Sequence, residues 1–268
     1  TNDNDYFAFF DFCIDTVQCL DGTAVKVLLH IFGANDVIVR RHAGGLEKKG
    51  KESVKNLPVL IQFIIFPVMA IVMSRFVEVP GLEPDYFIKI FAGMFVGMSP
   101  LVATASIISE EKSQGTLRVL FMSNVKSVEY LLAIGSFVFV LSMAGAGVMC
   151  FAGAYTGTDI LKFLGILALG ILTSVLIGAA IGAFSPNQMV ATSLMTPLMM
   201  VFAFLPMIGN FNENVKKVSR FLYSGQIDFL IGNINTGENE LSALLIILIN
   251  AIIALVLFAL AYRNLRKV

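Results

Sequence analysis

Between Leu57 and Tyr262 the chain divides into apolar runs of about twenty residues, almost free of charge, and that length is the thickness of a bilayer's hydrocarbon core. Segments of this kind can be buried together only in lipid, where every backbone polar group must be satisfied within the protein. The runs are Leu57–Ser74, Tyr86–Ile108, Tyr130–Tyr155, Leu161–Phe184, a fifth from the turn Ser185-Pro186-Asn187-Gln188 to Ile208, and Leu241–Tyr262. Composition agrees: 57% of residues are hydrophobic and 14% charged, whereas a soluble domain carries about 25% charge. Spans of this number use up about half of the 268 residues, and most of the stretches between them are short. The expected fold is therefore all-α and polytopic, with six transmembrane helices, and a soluble globular enzyme is excluded.

Two regions are expected. Residues 1–45 form a separate N-terminal segment with two short apolar stretches, Tyr6–Phe10 and Val25–Phe32, each too short to cross a membrane. Residues 46–268 form the six-helix transmembrane domain. The first long apolar run begins near Leu57, too far along for a cleavable signal peptide.

Charge placement gives an orientation. Arg40, Arg41, Lys48, Lys49, Lys51 and Lys55 precede the first span. Lys112, Arg118 and Lys126 separate the second from the third, and Arg263, Arg266 and Lys267 follow the sixth. With six spans all three basic clusters fall on one side, which the positive-inside rule makes cytoplasmic, so both termini are expected there. The loops on the other side, Glu78–Asp85 and Thr156–Asp159, lean acidic; Lys216, Lys217 and Arg220 are the exception.

Site chemistry is sparse. Cys13, Cys19 and Cys150 have no metal-site or disulfide spacing. His30 and His42 lack carboxylate or thiol neighbours at ligand spacing, so no metal site is expected. Gly45-Leu46-Glu47-Lys48-Lys49-Gly50-Lys51-Glu52 approaches a phosphate-binding loop, but Glu52 stands where a Ser or Thr must hold Mg²⁺. Nucleotide binding on this chain is therefore not expected, and neither is nucleic-acid binding. Ionisable residues are almost absent from the spans, which argues against a proton- or ion-coupled carrier. Gln62, Ser142, Thr173, Ser174, Thr192, Ser193, Thr196 and Asn250 remain inside, and most are expected to form helix–helix hydrogen bonds. The pairs Gly93/Gly97 and Gly178/Gly182 are expected to be close-packing positions.

Two polar stretches between spans carry the functional signal. The first, Ser109-Glu110-Glu111-Lys112-Ser113-Gln114-Gly115-Thr116-Leu117-Arg118-Val119-Leu120-Phe121, looks like a charged first turn leading into an amphipathic helix. Leu117, Leu120 and Phe121 share one face. The second, residues 209–240, interleaves apolar residues with Asn, Glu, Lys and Arg. It is either an interfacial amphipathic helix or a re-entrant segment, and the latter is allowed only where its broken backbone is buried in protein or lines a cavity.

The box Glu110-Glu111-Lys112-x-x-Gly115-Thr116-Leu117, an apolar run, and Val125-x-x-x-Glu129-Tyr130 at the start of the third span resemble the permease subunits of type-2 ABC exporters. The resemblance covers about Leu46 to Val268. It implies that this box joins spans two and three and carries a short coupling helix that docks on a cytoplasmic ATPase. Glu110, Glu111 and Lys112 would lead out of the second span and pair with ATPase charges. Gly115 and Thr116 would form the bend, and Leu117, Leu120 and Phe121 the apolar knob. The resemblance also implies that residues 209–240 are a re-entrant pair of external half-helices, with Phe211, Lys216, Lys217, Arg220 and Phe221 as a possible external gate.

The expected function is that of a permease subunit in an ATP-driven exporter, working in the cell membrane as half of a homo- or heterodimer. It would move an amphipathic or hydrophobic substrate: a drug, a lipid-like molecule or an antimicrobial peptide. ATP and Mg²⁺ would sit on the partner ATPase, with no cofactor on this chain. The alternatives are an ATPase-independent carrier or channel, which predicts inverted repeats and intramembrane charge, and a non-transporting membrane immunity or sensor subunit.

Overall fold

The computed structural model describes residues 57–77, 85–115, 127–153, 155, 157–234 and 240–265, and among these all regular structure is helical. The helices are α1 (Leu57–Phe76), α2 (Tyr86–Ser113), α3 (Ser127–Ala152), α4 (Thr158–Phe184), α5 (Gln188–Gly209), α6 (Glu213–Ser219), α7 (Tyr223–Gly232) and α8 (Glu240–Leu265). Five of them, α2, α3, α4, α5 and α8, are long and apolar enough to cross a membrane; α1 carries a shorter apolar stretch, Ile61–Phe76. The all-helical membrane architecture is as expected from the sequence. The N-terminal segment 1–45 lies outside the described residues.

The bundle is organised around α2, which is buried along most of its length and packs against α3, α4, α5 and α7. Its small residues explain how so many neighbours fit. Ala92, Gly93, Gly97, Ser99, Ala103, Ala105 and Ser106 are all buried, and small side chains let helix backbones approach closely in lipid. The facing side of α4 presents Gly170, Ser174, Gly178 and Gly182, a small residue every fourth position and hence on one face. A Cβ on Gly178 would overlap the Leu101 carbonyl, and one on Gly182 would stand 2.8 Å from the Ile108 Cβ. The expected packing role of Gly178 and Gly182 is met, and the ridge extends two members further. Gly97 packs on α5, where a Cβ would lie 2.7 Å from the Phe202 carbonyl oxygen, whereas Gly93 faces Asp228 of α7.

Prolines interrupt α1, α2 and α5, and each leaves the carbonyl four residues earlier without its helical donor. Pro100 frees the Val96 carbonyl, and the Ser174 hydroxyl of α4 donates to that oxygen at 2.5 Å. Pro206 frees the Phe202 carbonyl, the oxygen against which Gly97 is pressed. At Pro100 a neighbouring helix thus supplies the missing donor, the condition under which lipid tolerates a broken helix.

Five of the other polar residues that the sequence places inside the spans serve their own helices. Thr173, Ser142, Thr192, Ser193 and Thr196 each donate to the carbonyl four residues back. The expectation that most such residues bond between helices is therefore corrected. A hydroxyl on a helix reaches its own i−4 carbonyl without help from a neighbour. Among the residues named, Ser174 and Asn250 are the ones whose side chains also reach another element.

Candidate coupling and gate sites

Hydrogen bonds define two ends of the bundle. At one end the charged stretch Glu110–Lys112 continues α2 and does not open a new helix; α2 runs to Ser113, and the chain turns at Gly115 with φ of +73°. Glycine enters that left-handed region without the steric cost a Cβ brings. The reason α2 outlasts its apolar run is that its last turn finds partners. Glu111, only 9% exposed, accepts a hydrogen bond from the Tyr130 hydroxyl of α3 at 2.7 Å. Lys112 donates through Nζ to the Ala183 carbonyl at 2.9 Å. That carbonyl is in the last turn of α4, where acceptors go unsatisfied and a cation is favoured. Ser113 Oγ accepts from the Gln188 backbone N–H at 3.0 Å, at the first residue of α5.

Three consecutive side chains of α2 therefore hold three different helices. Successive helical positions point about 100° apart, so Glu111, Lys112 and Ser113 reach around most of the helix circumference. Glu110 turns away and accepts from Gln114 Nε2 at 3.2 Å. Thr116, Leu117, Leu120 and Phe121, the remaining members of the sequence-derived coupling site, lie outside the described residues.

At the opposite end, Asp85 joins the start of α2 to Lys89 (3.1 Å) and to the Tyr155 hydroxyl (3.1 Å). Here the long connection folds into the helical hairpin α6–α7. Asn212 caps α6 by accepting from Asn214 N–H. Gly225 permits the tight return, since a Cβ there would overlap the Ser219 carbonyl. Phe211, Lys216, Lys217, Arg220 and Phe221, the expected gate residues, are all exposed on the hairpin's outer side, Phe211 at 73% and Phe221 at 77%.

The inner side of the hairpin is anchored by Ser174 and Asn250, already named among the polar residues of the spans, and by others the sequence did not single out. Tyr223 is fully buried, its hydroxyl 2.9 Å from Ser174 Oγ and its ring 5.0 Å from that of Phe202. Gln226 donates to the Arg220 carbonyl. Asn250 of α8 donates to the Phe221 carbonyl at 3.2 Å, and Lys162 of α4 to the Ile234 carbonyl at 3.2 Å. Asp228 is part-buried on α7, against Gly93. Burial raises its carboxyl to about 6, while a hydrogen bond from Asn210 and the charge of Lys216 pull the other way.

Starting from the first of these ends, α5 presents a partly polar face to the exterior. Gln188, Thr192, Ser193 and Thr196 follow helical spacing and, with Met189 and Pro197, line an open depression of about 710 Å³. Elsewhere the exterior is greasy: α8 exposes Leu245, Leu248, Ile249, Ile252, Ile253 and Val256. Among the described residues no group of His, Cys, Asp and Glu is placed to hold a metal ion. The glycine-lysine stretch 45–52 falls outside them.

Five apolar helices of bilayer length, packed around a buried and proline-interrupted α2, make this a multi-pass membrane protein. Comparison with family models makes the assignment: residues 34–263 match the ABC-2 family transporter protein model, and the chain belongs to that family. Among curated proteins no match to the chain is found. Membership makes it the membrane permease of an ABC transporter.

Proposed function

We propose that this chain is the permease of an ATP-driven exporter, working as one half of a dimer and moving an amphipathic or hydrophobic substrate outward across the cell membrane. In this reading α1, from Leu57, supplies the sixth span. Both termini and the α2–α3 connection are cytoplasmic, and ATP and Mg²⁺ are held by a separate ATPase. Residues 116–126 carry the coupling helix, with Leu117, Leu120 and Phe121 as its knob. Glu110 faces the ATPase, while Glu111 and Lys112 pass motion to α3 and α4. The α6–α7 hairpin is the re-entrant external gate, its basic residues at the rim.

The observation that carries the proposal is the hydroxyl-bearing stripe of α5. Polar groups on a lipid-facing surface are costly, and a second copy opposite Gln188, Thr192 and Thr196 encloses them as the wall of a path. The wall mixes hydroxyls with Met189, Pro197 and apolar neighbours, which suits an amphipathic cargo better than a sugar polymer.

The test is capture of the tagged chain from mild detergent, with the eluate assayed for ATP hydrolysis. A nucleotide-hydrolysing subunit is expected to accompany the parent and to be lost with Glu110→Arg and Leu117→Asp. Absence of ATPase from the parent in several detergents would overturn the proposal.

A further inference from the structure

Two freed carbonyls and one hairpin meet at a single place in the core. The Val96 carbonyl, released by Pro100, receives the Ser174 hydroxyl. The Ser174 hydroxyl also lies 3.0 Å from its own Gly170 carbonyl and 2.9 Å from the Tyr223 hydroxyl. The Tyr223 ring tilts against Phe202, whose carbonyl is released by Pro206 and backed by Gly97 of α2. Val96, Ser174 and Tyr223 all have no solvent exposure. The weak points of α2 and α5 are thus joined to each other and to the first residue of α7. A helix bends most readily where proline has removed a rung of its ladder, and any bend at Pro100 displaces the oxygen that Ser174 holds.

We propose that Ser174 and Tyr223 are positioning residues for the external hairpin. While Ser174 is held on the Val96 carbonyl, Tyr223 keeps the α6–α7 hairpin seated. A change in the bend of α2 at Pro100 withdraws that carbonyl, frees Ser174 and unseats Tyr223, lifting the hairpin. The role of this movement as a gate rests on the exporter reading; the linkage between Pro100, Ser174 and Tyr223 does not.

A neighbouring residue supplies the reporter. Ser224 is fully buried and its hydroxyl has no hydrogen-bond partner, so Ser224→Cys is a near-isosteric change that sacrifices no bond. In a full-length chain with Cys13, Cys19 and Cys150 replaced by Ala, Cys at 224 is expected to react slowly with a membrane-impermeant maleimide in proteoliposomes. Ser174→Ala and Tyr223→Phe should each speed labelling about five- to tenfold, the equilibrium effect of one net buried hydrogen bond. Ser142→Ala, which removes a buried hydroxyl bonded only to its own helix at Val138, should leave the rate unchanged.

The deciding arm is Pro100→Ala, which returns a backbone donor to the Val96 carbonyl. That change should itself speed labelling, and in its background Ser174→Ala should add nothing further, because Ser174 has already lost its hold on the Val96 carbonyl. A general loosening of packing would not be silenced by restoring one distant N–H. Equal acceleration by Ser174→Ala with and without Pro100, or no acceleration by either variant in the parent, would overturn the proposal. Labelling needs neither ATPase nor substrate, so failure of the exporter reading shows in the capture experiment and leaves this outcome legible.

Discussion

Alanine at Gly178 should destabilise the bundle, whereas alanine at Gly147 should not. Both glycines lie inside long helices, so each substitution gains the same backbone term, about 1 kcal/mol in favour of alanine. They differ in what a new methyl group meets. At Gly147 nothing lies within 4 Å, and at Gly178 the Cβ runs into the Leu101 carbonyl of α2. That obstacle is backbone inside the most buried helix of the protein, so it cannot swing aside as a side-chain tip would. Overpacking of this kind costs about 1–3 kcal/mol, and because the backbone term cancels, that range is the expected difference between the two variants. At about 2–4 °C per kcal/mol for a chain of this size, Gly178→Ala should melt about 2–12 °C below Gly147→Ala. The assay is thermal unfolding in one detergent, followed by gel filtration or a thiol-reactive dye. Equal melting temperatures, or a more stable Gly178→Ala, would refute the claim that α2 and α4 are in backbone contact along this ridge.

Three further outcomes are expected. Asp228 has a folded pKa of about 6 against an ordinary value of 3.8, so the fold binds its proton more tightly than the unfolded chain does. Its stabilising contribution is complete below pH 3.8 and lost as pH rises through about 6; melting temperature should fall across that window in the parent and fall less in Asp228→Asn. Glu111→Ala removes the 2.7 Å bond from buried Tyr130 and should cost about 1–3 kcal/mol, while Glu111→Gln, which keeps an acceptor, should melt closer to the parent. Thr192→Cys in a chain free of other thiols should cross-link to a second copy in the membrane, since the proposed dimer sets a second copy opposite the α5 stripe; cysteine at Leu248, on the exposed apolar face of α8, should not.

Much of this was legible in the chain. Apolar runs of bilayer length placed the long helices within a few residues, because span length is imposed by the solvent and not by partners. Glycines four apart gave part of the α4 ridge for a similar reason: small residues in lipid are there to be packed against. The last turn of α2 was less legible. Glu-Glu-Lys is written like the start of a solvated loop, and only the presence of Tyr130, Ala183 and Gln188 around it shows why Glu111 is buried and Lys112 part-buried. Ser174 could not be told from Thr173, since one helical position decides whether a hydroxyl faces a neighbour's freed carbonyl. Tyr223 was hidden in a stretch of mixed polarity. The available clue was Pro100: a broken rung in a central helix implies a donor on some neighbour, though not which one.

The end of α2 has a consequence for how the helix is free to move. With Glu111, Lys112 and Ser113 each committed to a different neighbour, rotation about the helix axis is blocked: turning by one position, about 100°, would carry every one of the three side chains to the wrong partner at once. Tilting preserves all three, because the partners are carried along. Like a key whose teeth fit three wards, this helix can rock its lock but cannot turn in it. Any displacement delivered past Gly115 must then arrive at α3, α4 and α5 as one rigid swing.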